Sequence, residues 1–171
     1  MRRQSIILFL CLFVSIEMNA QIQRNFYDLS LGTSTQKEVQ KYCKSNKKTI
    51  LRKNSDGIYI KDLKFGGHTW PITLFSFYKG KLKTVFFTDI EEGTDRDALD
   101  LFWITLRLNI VNKYTEYADN KLSNDNLKYY DDGETTLMLS HKKTQDENGI
   151  TLMYSDKKMQ DAEIEEENND L

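Results

Sequence analysis

A chain of 171 residues has room for one domain with a real hydrophobic core and not for two. Nine Phe, nine Tyr and two Trp within a 39% hydrophobic composition exclude a wholly disordered chain, and a single proline with eight glycines excludes a Pro/Gly-rich linker between modules. A formal net charge of −2 without clustered Lys or Arg excludes a nucleic-acid footprint and a polybasic membrane-binding stretch.

The chain opens with Arg2 and Arg3, an apolar run from Ile6 to Ile16, and Met18-Asn19-Ala20, which ends on the small residue a signal peptidase needs. The run is too short to span a bilayer, so residues 1–20 read as a cleaved signal peptide, with Ala20 and Gln21 flanking the cut. The expected location is therefore export, periplasmic or secreted, without stable membrane insertion after cleavage. A single α+β domain is expected over residues 21–158. An acidic, flexible tail is expected over 159–171, where Asp161, Glu163, Glu165, Glu166, Glu167 and Asp170 follow one another without a basic residue.

Within the domain, "LGTSTQKEVQKYCKSNKK" starts a short helix capped by Thr33, Ser34 or Thr35; Thr35 with Glu38 fits the reciprocal capping box. Val39, Tyr42 and Cys43 share its apolar face, so the one cysteine of the mature chain reads as a core thiol and no intramolecular disulfide can form. Two strands follow around the turn Asn54 to Gly57.

"GGHTWPITLFSFYKGKLKTVFF" then reads as a hairpin about Lys79-Gly80. Strict alternation places Thr73, Phe75, Phe77, Leu82, Thr84 and Phe86 on one face and Ile72, Leu74, Ser76, Lys83, Val85 and Phe87 on the other, so both faces are apolar. The long helix of "GTDRDALDLFWITLRLNIVNKYTEY", with Thr94 and Asp97 in capping positions, is two-faced as well. Leu99, Phe102, Trp103, Leu106, Ile110 and Tyr114 form one stripe, and Leu101, Ile104, Leu108 and Val111 another. "NLKYY", the turn "DDG", "ETTLMLSH" and "ITLMYS" supply the last strands. The fold expected is α+β, an antiparallel sheet of six to seven strands with one short and one long helix packed mainly on one face. The face of Phe75, Phe77 and Phe86 is expected to form the core under the long helix, and that of Ile72, Leu74, Val85 and Phe87 to be a binding or self-association surface.

Catalytic signatures are sparse. His68 and His141 are the only histidines, no HExxH or Cys/His cluster suggests a metal, and no Gly-x-Ser-x-Gly elbow suggests a nucleophile, so neither metal nor cofactor is expected. The loop "KFGGHTWP" brings His68 and Trp70 forward as candidate binding residues. "YYDDGE" clusters Asp131, Asp132 and Glu134, which a turn explains. Two function classes follow. One is a non-catalytic exported binding domain; the other is a small envelope hydrolase or lyase assembled from His68, Trp70, Asp131 and His141, recognisable if those four converge in one cleft.

The strand into "LSLGTSTQKEVQKYC", the hairpin ending "F-x-F-Y-K-G-K-L-x-x-V-x-F" and the long helix with Lys113-Tyr114 resemble small exported domains of unknown function from Gram-negative bacteria. A helix followed by a meandering sheet, seen twice, resembles the β-lactamase-inhibitor-protein-like architecture, whose helix start is echoed at Gly32, Ser34 and Val39. The resemblance implies an α+β fold, an envelope location and a protein-binding role, and assigns no functional residue.

Overall fold

The computed structural model describes residues 21–92, 97–144 and 147–169. The expected signal peptide and the Thr94 cap lie outside the described residues. A two-stranded ladder, β1 (Asn25–Phe26) and β2 (Leu29–Ser30), precedes helix α1 (Gln36–Ser45). Four strands follow, β3 (Ile50–Lys53), β4 (Gly57–Phe65), β5 (His68–Tyr78) and β6 (Lys81–Glu92). Helix α2 (Asp97–Tyr114) leads to β7 (Leu127–Asp131), β8 (Thr135–Lys143) and β9 (Glu147–Asp156), and α3 (Lys157–Asn169) ends the described chain. The seven longer strands form one antiparallel sheet in the order β3-β4-β5-β6-β9-β8-β7. Two meanders thus meet where β6 pairs with β9.

Local chemistry explains the first helix. The Thr35 hydroxyl accepts from the Glu38 amide while the Glu38 carboxylate accepts from the Thr35 amide, completing the capping box that fixes where α1 begins. One face of the sheet carries the core. Ile58, Ile60, Phe75, Val85, Phe87, Leu137, Leu139, Leu152 and Tyr154 are buried there beneath α1, α2 and the segment bearing Ile22, Phe26, Leu29 and Leu31. Leu99, Trp103, Leu106, Ile110 and Tyr114 of α2 are buried as the first stripe requires.

The hairpin departs from strict alternation. Tyr78 pairs with Lys81 and Phe77 with Leu82, but Ser76 pairs with Thr84, so Lys83 is an extra residue in β6. That bulge moves every later side chain of β6 to the opposite face. Val85 and Phe87 therefore join Phe75 in the core, and Phe86 joins Leu74 on the far face, correcting the expected grouping of Phe75 with Phe86 and of Leu74 with Val85 and Phe87. A second irregularity sets Lys61 and Asp62 opposite Pro71 and Ile72, all four exposed, with Asp62 at a φ of 52°. Alternation restarts beyond it, and Leu63 and Trp70 return to the core.

Residues 157–169, where an acidic flexible tail is expected from 159, are helix α3, a third helix on the far face. It crosses the strands in sequence: Lys157 pairs with Asp131 on β7 at 2.9 Å, Gln160 accepts from Thr136 on β8, Glu163 pairs with Lys83 on β6 and Glu166 with Lys79 at the hairpin turn. The acidic residues are matched to lysines presented by the β5–β6 hairpin, which is why this stretch is not simply solvated.

Candidate functional site

Beneath α3 lies a polar row in which Thr84, Ser155 and Thr136 are buried and the Thr84 and Ser155 hydroxyls share a hydrogen bond of 3.0 Å. Beside it runs an apolar row formed by direct cross-strand partners on six strands: Tyr59, Leu74, Phe86, Met153, Met138 and Tyr129. All six are half-buried. The next row adds Ile72, 39% exposed, with Thr88, Thr151, Ser140 and Leu127. Past it Ile90 lies over Gly149, where an added Cβ would stand 3.4 Å from the Ile90 side chain.

The polar row is sealed by a helix and the apolar row is not. Side chains this size gain about 1.5–3 kcal/mol each on full burial, and each of these six, partly exposed, falls short of that gain by a fraction. No helix of the described residues is long and apolar enough to cross a membrane.

The expected surface of Ile72, Leu74, Val85 and Phe87 is thus split by the sheet. Ile72 and Leu74 face the open strip; Val85 and Phe87 are fully buried behind it. Trp70 is also buried, its indole N–H donating to the Phe65 carbonyl at 3.1 Å, and cannot meet a partner. Phe86, expected in the core, lies instead on this strip, and Met138 and Met153 are residues that the sequence reading passed over. Their signal was the uninterrupted triplets Leu137-Met138-Leu139 and Leu152-Met153-Tyr154, which make both faces of two more strands apolar.

The histidines are occupied by structure. His68 stacks on Phe102 of α2 with ring centroids 4.0 Å apart and donates from Nε2 to Asp89 at 2.7 Å. His141 packs on Trp103 at 4.9 Å and donates to the Asn148 side-chain oxygen at 2.6 Å, and Asn148 donates to Asp100 at 2.9 Å. Lys143 beside Asp100 holds that carboxyl below the usual carboxylate range. Two neighbouring aromatics of α2 are therefore each seated on an imidazole. Asp131 stands apart: Thr136, its partner on β8, is five residues from His141, about 17 Å along the strand. The four candidate catalytic residues do not form one cleft.

Asp131 and Asp132 also serve the turn. Asp131 accepts from the Gly133 amide, and Asp132 accepts from those of Glu134, Thr135 and Ile22. Among the described residues no group of three His, Cys, Asp or Glu side chains is arranged to hold a metal ion. A cavity of about 500 Å³ lies between α3 and residues Arg24, Leu31 and Gly32, and another of about 630 Å³ beside Asp119, Asp131 and Gly133; neither histidine lines either. No family model, curated protein or solved structure matches the chain.

Proposed function

We propose that this chain is an exported, non-catalytic interaction domain of the bacterial cell envelope, and that a protein partner seats on the uncovered strip beside α3. The observation that carries this reading is the six-strand apolar row from Tyr59 to Tyr129, continuous in register and left open while the polar row next to it is covered. The hydrolase or lyase alternative has less support, because His68 and His141 are each bonded to a neighbour and pressed against an aromatic ring of α2. Export rests on the signal-like start of the sequence.

A photoreactive phenylalanine analogue at Phe86, introduced into the full chain in cells, tests the reading. A covalent protein adduct is expected, and Leu74→Lys with Met153→Lys should abolish it without unfolding the domain, as judged by circular dichroism. Adducts that form from other surfaces but never from Phe86 would refute the proposal. Mass spectrometry of the exported protein checks the compartment: the expected chain begins at Gln21, and an intact Met1 would count against cleavage.

A further inference from the structure

Resting on that reading, we infer that the partner on the strip is helix α2 of a second copy of this chain. Among the described residues, the outward stripe of α2 is an extended apolar surface whose shape suits the strip. Leu101, Ile104 and Leu108 are 67%, 53% and 56% exposed, and Val111 continues their line. Their spacing of three, four and three residues is that of an apolar seam meant to meet another element. Over ten residues the ridge is about 15 Å long.

The strip has the dimensions to receive it. Six strands spaced about 4.8 Å apart make it about 24 Å long, and successive rows on one face lie about 6.8 Å apart along the strands. Helices pack 8–10 Å from one another. A helix laid parallel to α3 at that distance sits between the row of Leu74, Phe86, Met153 and Met138 and the row of Ile72, with both beneath it.

α3 supplies the wall. At 100° per residue, Ile164 falls on the flank of α3 turned away from Met159 and Ala162, which line the cavity on its other side, and Ile164 is 48% exposed. Beyond it Asp161 and Glu165 are exposed acids. Arg107, half-buried where it lines a cavity with Val111 and Tyr130, flanks the incoming ridge on the same side as Asp100, which Lys143 already pairs, so an apolar edge meets an apolar wall and a cation faces carboxylates. The covering element need not come from another protein species.

The two surfaces lie on opposite sides of the sheet, so one copy uses a different surface from the next. The contact is heterologous and joins copies head to tail, either into a ring or into an open chain.

Sedimentation velocity of the full mature chain over a range of concentrations tests this. The wild type is expected to assemble progressively. Leu101→Lys with Leu108→Lys, and separately Leu74→Lys with Met153→Lys, should each stay folded and raise the half-assembly concentration by roughly tenfold or more. Mixing the two variants is decisive: each keeps the surface the other has lost, so a 1:1 dimer that grows no further is expected. Ile104→Gln with Met138→Gln variants in the same mixing design serve if a lysine variant unfolds. A mixture that stays monomeric, a wild type that stays monomeric, or dimers from one variant alone would each overturn the inference. If the wild type is monomeric while Phe86 still captures a different protein, the interaction-domain reading stands and self-docking through α2 fails.

Discussion

Lys83 decides which of two adjacent phenylalanines lies in the core. As the bulged residue of β6 it sends its ammonium to Glu163 and leaves Phe87 buried against Phe26, Phe65 and Trp70, with Phe86 across the sheet on the open strip. Phe87→Ala should therefore cost about 3–5 kcal/mol and Phe86→Ala about 1–2 kcal/mol, measured by urea unfolding. Equal costs would mean the register is wrong. The sequence identified a two-faced hairpin and its turn correctly, but side-chain parity is a count along the strand, and one inserted residue reverses everything after it. Nothing in "KLKTVFF" announces where that insertion falls. Cys43 is the opposite case, legible because its partners Val39 and Tyr42 are three to four residues away or adjacent on one helical face. Burial pushes its thiol up, away from the reactive thiolate. Iodoacetamide should label it only as fast as the protein unfolds, and Cys43→Ala should cost about 1 kcal/mol; rapid labelling of the folded protein would show that the thiol is accessible.

At the scale of elements, helices α1 and α2 were readable because caps and i, i+3, i+4 spacings are local, whereas α3 was not. Its acids look solvated until the lysines that meet them, about eighty residues earlier in the chain, are brought alongside. No residue of α3 is buried, so its attachment depends on polar contacts. Lys79 beside Glu166 holds that carboxyl below the usual range, and Glu166 in turn raises Lys79; Asp131 raises Lys157. A carboxyl lowered on docking stabilises the docked state above its free pKa of about 4.3 and loses that effect as pH falls through the docked value. A lysine raised on docking stabilises below its free pKa of about 10.4 and loses that effect only as pH rises past the docked value. α3 should thus be held best between about pH 5 and 10. Protection of the amides of residues 157–169 against hydrogen exchange, relative to the intrinsic rate at each pH, should fall below about pH 4 and in 1 M salt while the β6–β9 ladder stays protected. Unchanged protection under both conditions would mean that apolar contacts, not ion pairs, hold the helix.

Across the whole molecule, the first and last segments of the described residues contribute unequally. Ile22, Phe26, Leu29 and Leu31 are all buried in the core, Phe26 packing on Tyr154 with ring centroids 5.0 Å apart, and Arg24 pairs with the largely buried Asp156. Gly32 permits that pairing: an added Cβ would lie 2.6 Å from the Asp156 carboxylate, and its φ of 77° is a conformation other residues adopt at a cost. Four buried side chains of this kind are worth of order 6–12 kcal/mol, comparable with the whole stability of a typical domain at about 5–15 kcal/mol. Removing residues 21–31 should leave the sheet without one of its three covers and abolish cooperative unfolding. Removing residues 157–171 takes away no buried side chain among those described, so the shortened chain should still unfold cooperatively, with Thr84, Ser155 and Thr136 newly exposed and a Tm only a few degrees lower. Thermal unfolding of the two truncations separates the cases. Loss of cooperativity in the second rather than the first would place the support of this fold on the acidic helix instead of on the segment that crosses its core.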